Sequence, residues 1–122
     1  MSNRIIGRIN TQEDEREILI DGVMIDIEPS QRIRNHSQEF SWGYAGSGPA
    51  QTALAILYHV TKDKDIASRH YQDFKFEFIT PQRMDSDFCM DVDIDAWLAP
   101  RLQSKGTLED SGVDEFDTTP LV

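Results

Sequence analysis

The alternation of hydrophobic and polar positions predicts strands in the first part of the chain. Glu17–Ile27 carries apolar residues on both sides of Asp21-Gly22, a dipeptide typical of type I′ turns, and this pattern predicts a β-hairpin. Arg4–Ile9 is short and rich in β-branched residues, which predicts a strand before the hairpin. Residues 28–39 are polar and contain several turn formers, so we predict an irregular connection there.

In the middle of the chain, the apolar residues follow the spacing of a helix. The segment from Pro49 to about Thr61 is apolar nearly all round, which predicts a central buried helix that begins after a glycine-rich turn. Further along, apolar residues recur at spacings of three and four, which predicts a second helix. Asp63 or Asp65 would cap this helix, and Pro81 would end it, because the residue before a proline avoids the helical region.

The last part of the chain predicts one more strand and one more helix. Apolar residues alternate with Cys89, Asp91 and Asp93 across Phe88–Ile94, which predicts a half-buried strand with a polar outer face. A short helix should follow, capped by Asp95 and running to about residue 103.

The predicted element order is β-β-β-α-α-β-α, which is typical of the α+β class with an antiparallel sheet packed by helices. Residues 104–122 contain five acids, one base and few apolar residues, a composition typical of a disordered tail. We therefore predict a single α+β domain over residues 1–103 and an acidic flexible tail over residues 104–122.

Charge narrows the range of partners. The 122 residues include 22 Asp and Glu but only 12 Lys and Arg, and the formal net charge is -10. Such a charge repels nucleic acid and anionic membranes and attracts basic proteins, although acidity can also serve solubility alone. The single cysteine excludes an internal disulfide and favours the reducing cytoplasm, and no segment is apolar enough to span a membrane. We predict a cytoplasmic protein with no membrane contact and no direct nucleic-acid contact.

The glycine-rich turn Gly43–Gln51 is the first candidate site. A helix N-terminus presents unpaired N–H groups and a partial positive charge, so the turn predicts a nucleotide or anion site, with Ser47 as N-cap. The alternative is a structural corner in which the glycines let the helix approach the sheet and a tryptophan fills the core. The predicted ligand contacts are Gly46, Ser47, Gly48, Ala50 and Gln51, with Trp42 or Tyr44 stacking on a base.

Known catalytic motifs do not fit this turn. A P-loop needs a lysine and a hydroxyl where this chain has Pro49 and Ala50, and a nucleophile elbow needs glycines two residues either side of Ser47. The acidic run that begins at Asp91 lacks the glycine and glutamate of an EF-hand, since Ala96 and Leu102 occupy those positions. We predict no enzymatic activity, no cofactor and no bound metal.

Carboxylates on the outer face of the last strand are the second candidate site. Alternate residues of a strand lie about 6.8 Å apart, which is comparable with the phosphate spacing of a nucleic-acid backbone. A row of carboxylates at that spacing could imitate nucleic acid and bind a basic protein; the alternative is a solvated outer face. The predicted partner-binding residues are Asp87, Asp91, Asp93 and Asp95.

Two blocks of the sequence resemble an uncharacterised family of small proteins encoded by phages, plasmids and other bacterial mobile elements. The first block is Trp42-Gly-Tyr-Ala-Gly-Ser-Gly-Pro-Ala-Gln51, where Ala45 replaces a usual glycine, and the second is Tyr71-Gln-Asp-Phe-Lys75. The likeness covers roughly Gly22 to Leu98. It implies an accessory protein of a mobile element, a kind of protein that often binds and blocks host machinery, including defence systems.

These observations lead to two hypotheses about function. The first is a non-enzymatic acidic binding protein that inhibits or modulates a basic host or phage protein. The alternative is a small-molecule binding protein that holds a nucleotide or another anion at Gly43–Gln51.

Overall fold

The computed structural model describes the backbone of residues 2–106 and the side chains of residues 2–103. It contains two compact units; among the described residues, one consists of residues 3–91 and the other of Ser2 with residues 92–106. The backbone of residues 104–106 continues the last helix. The rest of the predicted tail, residues 107–122, lies outside the described residues.

Four strands form one sheet in the spatial order β3-β2-β1-β4. The predicted hairpin is confirmed: Asp21 and Gly22 have φ angles of 52° and 86°, as a type I′ turn requires. The strands are β1, Asn3–Asn10; β2, Glu15–Ile20; β3, Val23–Met24; and β4, Phe88–Val92.

The sheet is antiparallel throughout, which confirms the predicted α+β class. β2 pairs antiparallel with both β1 and β3. β4 runs antiparallel to β1, because Arg4 near the start of β1 contacts Asp91 while Ile9 near its end contacts Asp87. The predicted alternation of β4 is confirmed as well, since Phe88 is buried and the next residue, Cys89, is exposed.

Residues 2–106 contain one α-helix more than the sequence predicts. The prediction of an irregular connection over residues 28–39 is wrong at its start, because residues Glu28–Ile33 form a helix. Pro29 lies in its first turn, where the missing N–H of proline leaves nothing unpaired. The helices are α1, Glu28–Ile33; α2, Ser47–Thr61; α3, Lys64–Phe74, followed by a π-helical turn, Lys75–Ile79; and α4, Ile94–Gly106.

Two of the predicted helix caps are wrong and one is confirmed. Ser47 is the first residue of α2 rather than its cap, and the cap position is Gly46. Asp95 lies inside α4, while Asp93 accepts a 3.0 Å hydrogen bond from the Ala96 N–H. Asp63 caps α3 by accepting from the Ile66 N–H at 3.1 Å.

The core of the larger unit is centred on α2, whose residues 48–57 are all buried, as its apolar sequence predicts. Ile5, Ile18 and Ile20 supply the buried face of the sheet. In the part of the chain described here, no helix combines the length and the apolar character that crossing a membrane requires.

Candidate functional site

The glycine-rich turn is closed by the protein's own atoms. Gly43 has a φ of 90°, and a Cβ added there would lie 2.5 Å from the backbone nitrogen and Cα of Met84. A Cβ at Gly46 would lie 2.6 Å from the Tyr44 ring, and one at Gly48 would overlap the Ser41 hydroxyl. The glycines therefore allow close approach, as expected, but the groups that approach them are side chains and backbone of the same chain.

Trp42 is a core residue, so stacking on a base is ruled out for this ring in the observed conformation. Its side chain has no solvent exposure, it packs edge-on against Phe88 at a centroid distance of 5.0 Å, and its indole N–H donates to the Ser86 carbonyl at 2.9 Å. Tyr44 is 42% exposed, and its hydroxyl lies 2.9 Å from that of Ser41.

The remaining predicted ligand contacts are mostly inside the protein. Gly48, Ala50 and Gln51 are buried, Gly46 is half-buried, and Ser47 is exposed. The Ala50 N–H already donates to the Gly46 carbonyl at 3.1 Å. The arrangement fits the structural alternative, a corner that joins the loop to α2.

The side-chain amide of Gln51 holds the segment that follows α1. Its oxygen accepts from the backbone N–H groups of His36, at 2.6 Å, and Ser37, at 3.1 Å, and its nitrogen donates to the Ser30 hydroxyl at 2.8 Å. Gln51 is fully buried, so these three hydrogen bonds satisfy most of its capacity without a ligand.

His36 and Tyr71 form a polar contact beside this amide, and the charge of Lys75 acts on His36. The His36 Nε2 hydrogen-bonds with the Tyr71 hydroxyl at 2.7 Å. Burial lowers the pKa of His36, and the charges of Arg34 and Lys75 lower it further. Lys75 is 7% exposed, and its ammonium lies 4.1 Å from the centroid of the Phe76 ring. These surroundings favour the neutral form of the His36 imidazole.

The carboxylates predicted to imitate phosphates are used largely by the protein itself. Asp87 accepts from the Ile9 backbone N–H at 2.8 Å, and Asp91 pairs with Arg4 at 3.2 Å in an exposed ion pair. The Ala96 N–H donates to Asp93 and is the main reason that the pKa of this carboxyl lies below its usual value. Asp95 is exposed in the first turn of α4.

A cavity of about 530 Å³, which we call the acidic cleft, lies beside the hairpin. Its apolar lining residues are Met24, Ile25, Ile27 and Phe40, and the remaining lining residues include five acids and one arginine, Arg16. Within residues 2–103, only one of these acids is in an ion pair, Glu17 with Arg8 at 2.8 Å. The four others are Asp14, Glu15, Asp26 and Glu39, all exposed.

Arg16 lines both the acidic cleft and a second cavity of about 390 Å³, which also shares Gln38, Glu39 and Phe40 with the acidic cleft. The guanidinium carbon of Arg16 lies 4.8 Å from the centroid of the Trp42 ring, a cation–π contact. Its Nη1 is buried and has no hydrogen-bond partner among the residues that the structure describes.

Sequence reasoning missed the acidic cleft. Its four unpaired carboxylates come from the β1–β2 turn, the start of β2, the segment after β3 and the segment before α2, so no short motif connects them. The acidic run Glu13-Asp-Glu15 between two predicted strands is the sequence signal that could have pointed to it.

Comparison with known proteins gives a family but no activity. The model of a protein family of unknown function matches residues 6–100. No curated protein and no solved structure matches the chain. Within the described residues, no group of three or more His, Cys, Asp or Glu side chains is arranged to hold a metal ion.

Proposed function

This chain belongs to DUF6166, a family of unknown function, and we propose that it is a non-enzymatic binding protein that captures a basic protein. The observation that carries this proposal is the acidic cleft. Four exposed carboxylates without an ion pair among residues 2–103 line it together with apolar side chains, and Arg16 is the only basic residue in the lining.

The physical basis is charge complementarity over an apolar surface. Opposite charges steer two proteins together and fix their relative orientation, whereas apolar contact at the centre of the interface supplies most of the affinity. Met24 is 57% exposed at the rim of the acidic cleft, so a partner would remove apolar surface from water as well as pair with the carboxylates. The net charge of -10 also attracts a basic partner before the two proteins come into contact.

The proposal also includes the origin and the place of action that the sequence resemblance implies. The protein would belong to a phage or another mobile element and would act in the host cytoplasm. Its basic partner would be a host protein, for example a component of a defence system, and binding would inhibit or modulate that partner. Support for this part is the resemblance of two sequence blocks together with the acidic charge.

A salt-dependent titration with a lysine-rich peptide tests the proposal. An exposed ion pair contributes about 0.2–1 kcal/mol, so replacing two carboxylates of the acidic cleft, in the variant Asp26→Asn/Glu39→Gln, should weaken binding by roughly two- to thirtyfold. The matched control is Asp65→Asn/Asp85→Asn, which removes the same charge from exposed positions elsewhere. Added salt should weaken binding to the unmodified protein.

Two results would contradict the proposal. One is equal weakening by the two double variants, which would mean that only the overall charge matters. The other is an affinity that stays constant as salt is added, because exposed charges are screened within about 10 Å at 0.1 M salt.

We do not advance the nucleotide or anion site as a second function. Among its predicted residues, Trp42 is fully buried, the Gln51 amide is bonded within the protein, and the space above Gly48 is filled by Ser41.

A further inference from the structure

The edge of β2 that faces the acidic cleft is only partly paired. β2 spans Glu15–Ile20, but β3 pairs with it only at Leu19 and Ile20, and one further backbone bond joins the Ile25 N–H to the Ile18 carbonyl. Beyond that bond the chain leaves the sheet and enters α1. Among the strands of residues 2–106, the first residues of β2 therefore have a neighbour on the β1 side alone.

The backbone groups of Arg16 point towards this unpaired edge. In an antiparallel pair, successive residues direct their N–H and C=O groups alternately to the two sides of the strand. Ile9 lies opposite Arg16, and the Ile9 N–H donates to Asp87 on the β4 side, so this pair is not joined by hydrogen bonds. Ile18, two residues after Arg16, directs its carbonyl to the β3 side. Arg16 thus presents an N–H and a C=O without a backbone partner in the described part of the chain.

The surroundings of this edge suit an extended segment of another chain. Glu15 on β2 and Asp26 and Glu39 across the acidic cleft are carboxylates, and Arg16 and these acids all line the same cavity. An exposed, unpaired strand edge is a template for strand addition, in which backbone hydrogen bonds give affinity and alternate side chains give specificity.

We propose that the basic partner binds as an added antiparallel strand beside β2 at Arg16, with lysine or arginine side chains directed to the carboxylates of the acidic cleft. This inference rests on the proposed function, and it specifies the partner as an extended basic segment rather than a helix or a folded patch.

The protein's own residues are poor occupants of this edge. Residues 104–122 carry five acids and one base, so the acidic cleft repels them, and a second copy of a chain with a net charge of -10 is repelled as well. Charge therefore favours a basic partner over either form of self-association.

Hydrogen exchange at single amides tests the added strand directly. The probe is a capped peptide of alternating lysine and valine, added at low salt to the isotopically labelled protein and followed by NMR. The Arg16 amide should exchange rapidly in the unbound protein and at least tenfold more slowly when the peptide is bound. The Glu17 amide is the internal control: the ladder alternation directs it to β1 with or without peptide, so its exchange should not change.

A second peptide separates strand addition from attraction of charge alone. Replacing the valines by prolines keeps the charge but removes alternate N–H donors, and this peptide should bind at least tenfold more weakly. Equal affinity of the two peptides, or binding without slower exchange at Arg16, would overturn the added strand and leave the proposed function standing. If neither peptide binds at low salt, the proposed function fails too.

Discussion

The backbone N–H of Ile9 donates a 2.8 Å hydrogen bond to the carboxylate of Asp87. This contact joins the end of β1 to the residue that precedes β4, so a side chain predicted to bind a partner contributes to the edge of the sheet. A net contribution of about 1 kcal/mol is typical of a hydrogen bond in a folded protein.

Replacing Asp87 should consequently lower stability. We expect Asp87→Ala to reduce the free energy of unfolding by about 1 kcal/mol, measured by urea denaturation, because the Ile9 N–H loses its acceptor. The control is Asp85→Ala, two residues earlier. Asp85 has only a 3.8 Å ion pair with Arg83 in which both side chains are more than three-quarters exposed, and its replacement should stay within about 0.5 kcal/mol of the unmodified protein. Equal losses would contradict a specific role for Asp87.

Gly43 and Gly22 provide a comparison of two glycines with similar backbone angles. Their φ values are 90° and 86°, but a Cβ at Gly43 would lie 2.5 Å from the Met84 backbone, whereas a Cβ at Gly22 would meet nothing within 4 Å. Gly22→Ala should cost about 1–2 kcal/mol of conformational strain, and Gly43→Ala should cost about 1–3 kcal/mol more, because backbone atoms must move. Thermal and urea unfolding measure both, and identical losses would exclude the close approach at Met84.

The buried amide of Gln51 should matter more for stability than an exposed one. Gln51→Leu leaves the His36 and Ser37 backbone N–H groups without an acceptor, and each unsatisfied buried donor costs about 1–3 kcal/mol. We expect a loss of about 2–4 kcal/mol in urea denaturation. Gln72→Leu, at an exposed position of α3, is the control and should change stability by no more than about 0.5 kcal/mol. A small loss in Gln51→Leu would show that the segment after α1 is held by other contacts.

Stability should decline as the pH falls through 6.5. Burial is the main cause that lowers the pKa of both His36 and His59 from the usual 6.5, with nearby positive charges adding to it. The unfolded chain binds protons at about pH 6.5 while the folded chain keeps these imidazoles neutral, so the contribution is complete above that pH and is lost below it. Urea denaturation between pH 8 and pH 5 should show this decline, and it should be shallower in His36→Gln. Parallel pH profiles of the two proteins would contradict the role of His36.

Local chemistry was sufficient to predict several elements. The Asp21-Gly22 turn, the apolar run of α2 and the alternation of β4 each depend on neighbours within a few residues, and all three are confirmed. α1 was missed because six residues are too few to show a helical period. Its only local signal, Pro29, is equally typical of a turn.

The candidate sites were harder to predict, because they depend on contacts between distant residues. Nothing in the sequence near Gly48 shows that the Ser41 and Tyr44 hydroxyls will lie above it. Likewise, Asp26 and Glu39 come to the same cleft as Glu15 only because the segments around α1 fold back beside β2. A row of carboxylates along one strand is visible in a sequence, whereas a cleft assembled from several segments is not.

The π-helical turn Lys75–Ile79 makes the length of this segment critical. A π turn holds one residue more than an α-helical turn, and here the Thr80 N–H reaches back to the Lys75 carbonyl at 2.9 Å. Deleting a single residue would let α3 continue as a regular helix and would rotate every later position by about 100°. Ile79 is completely buried, and after such a deletion a neighbouring residue would take its buried position. Alignments of related sequences should therefore keep the spacing between Tyr71 and Ile79 fixed.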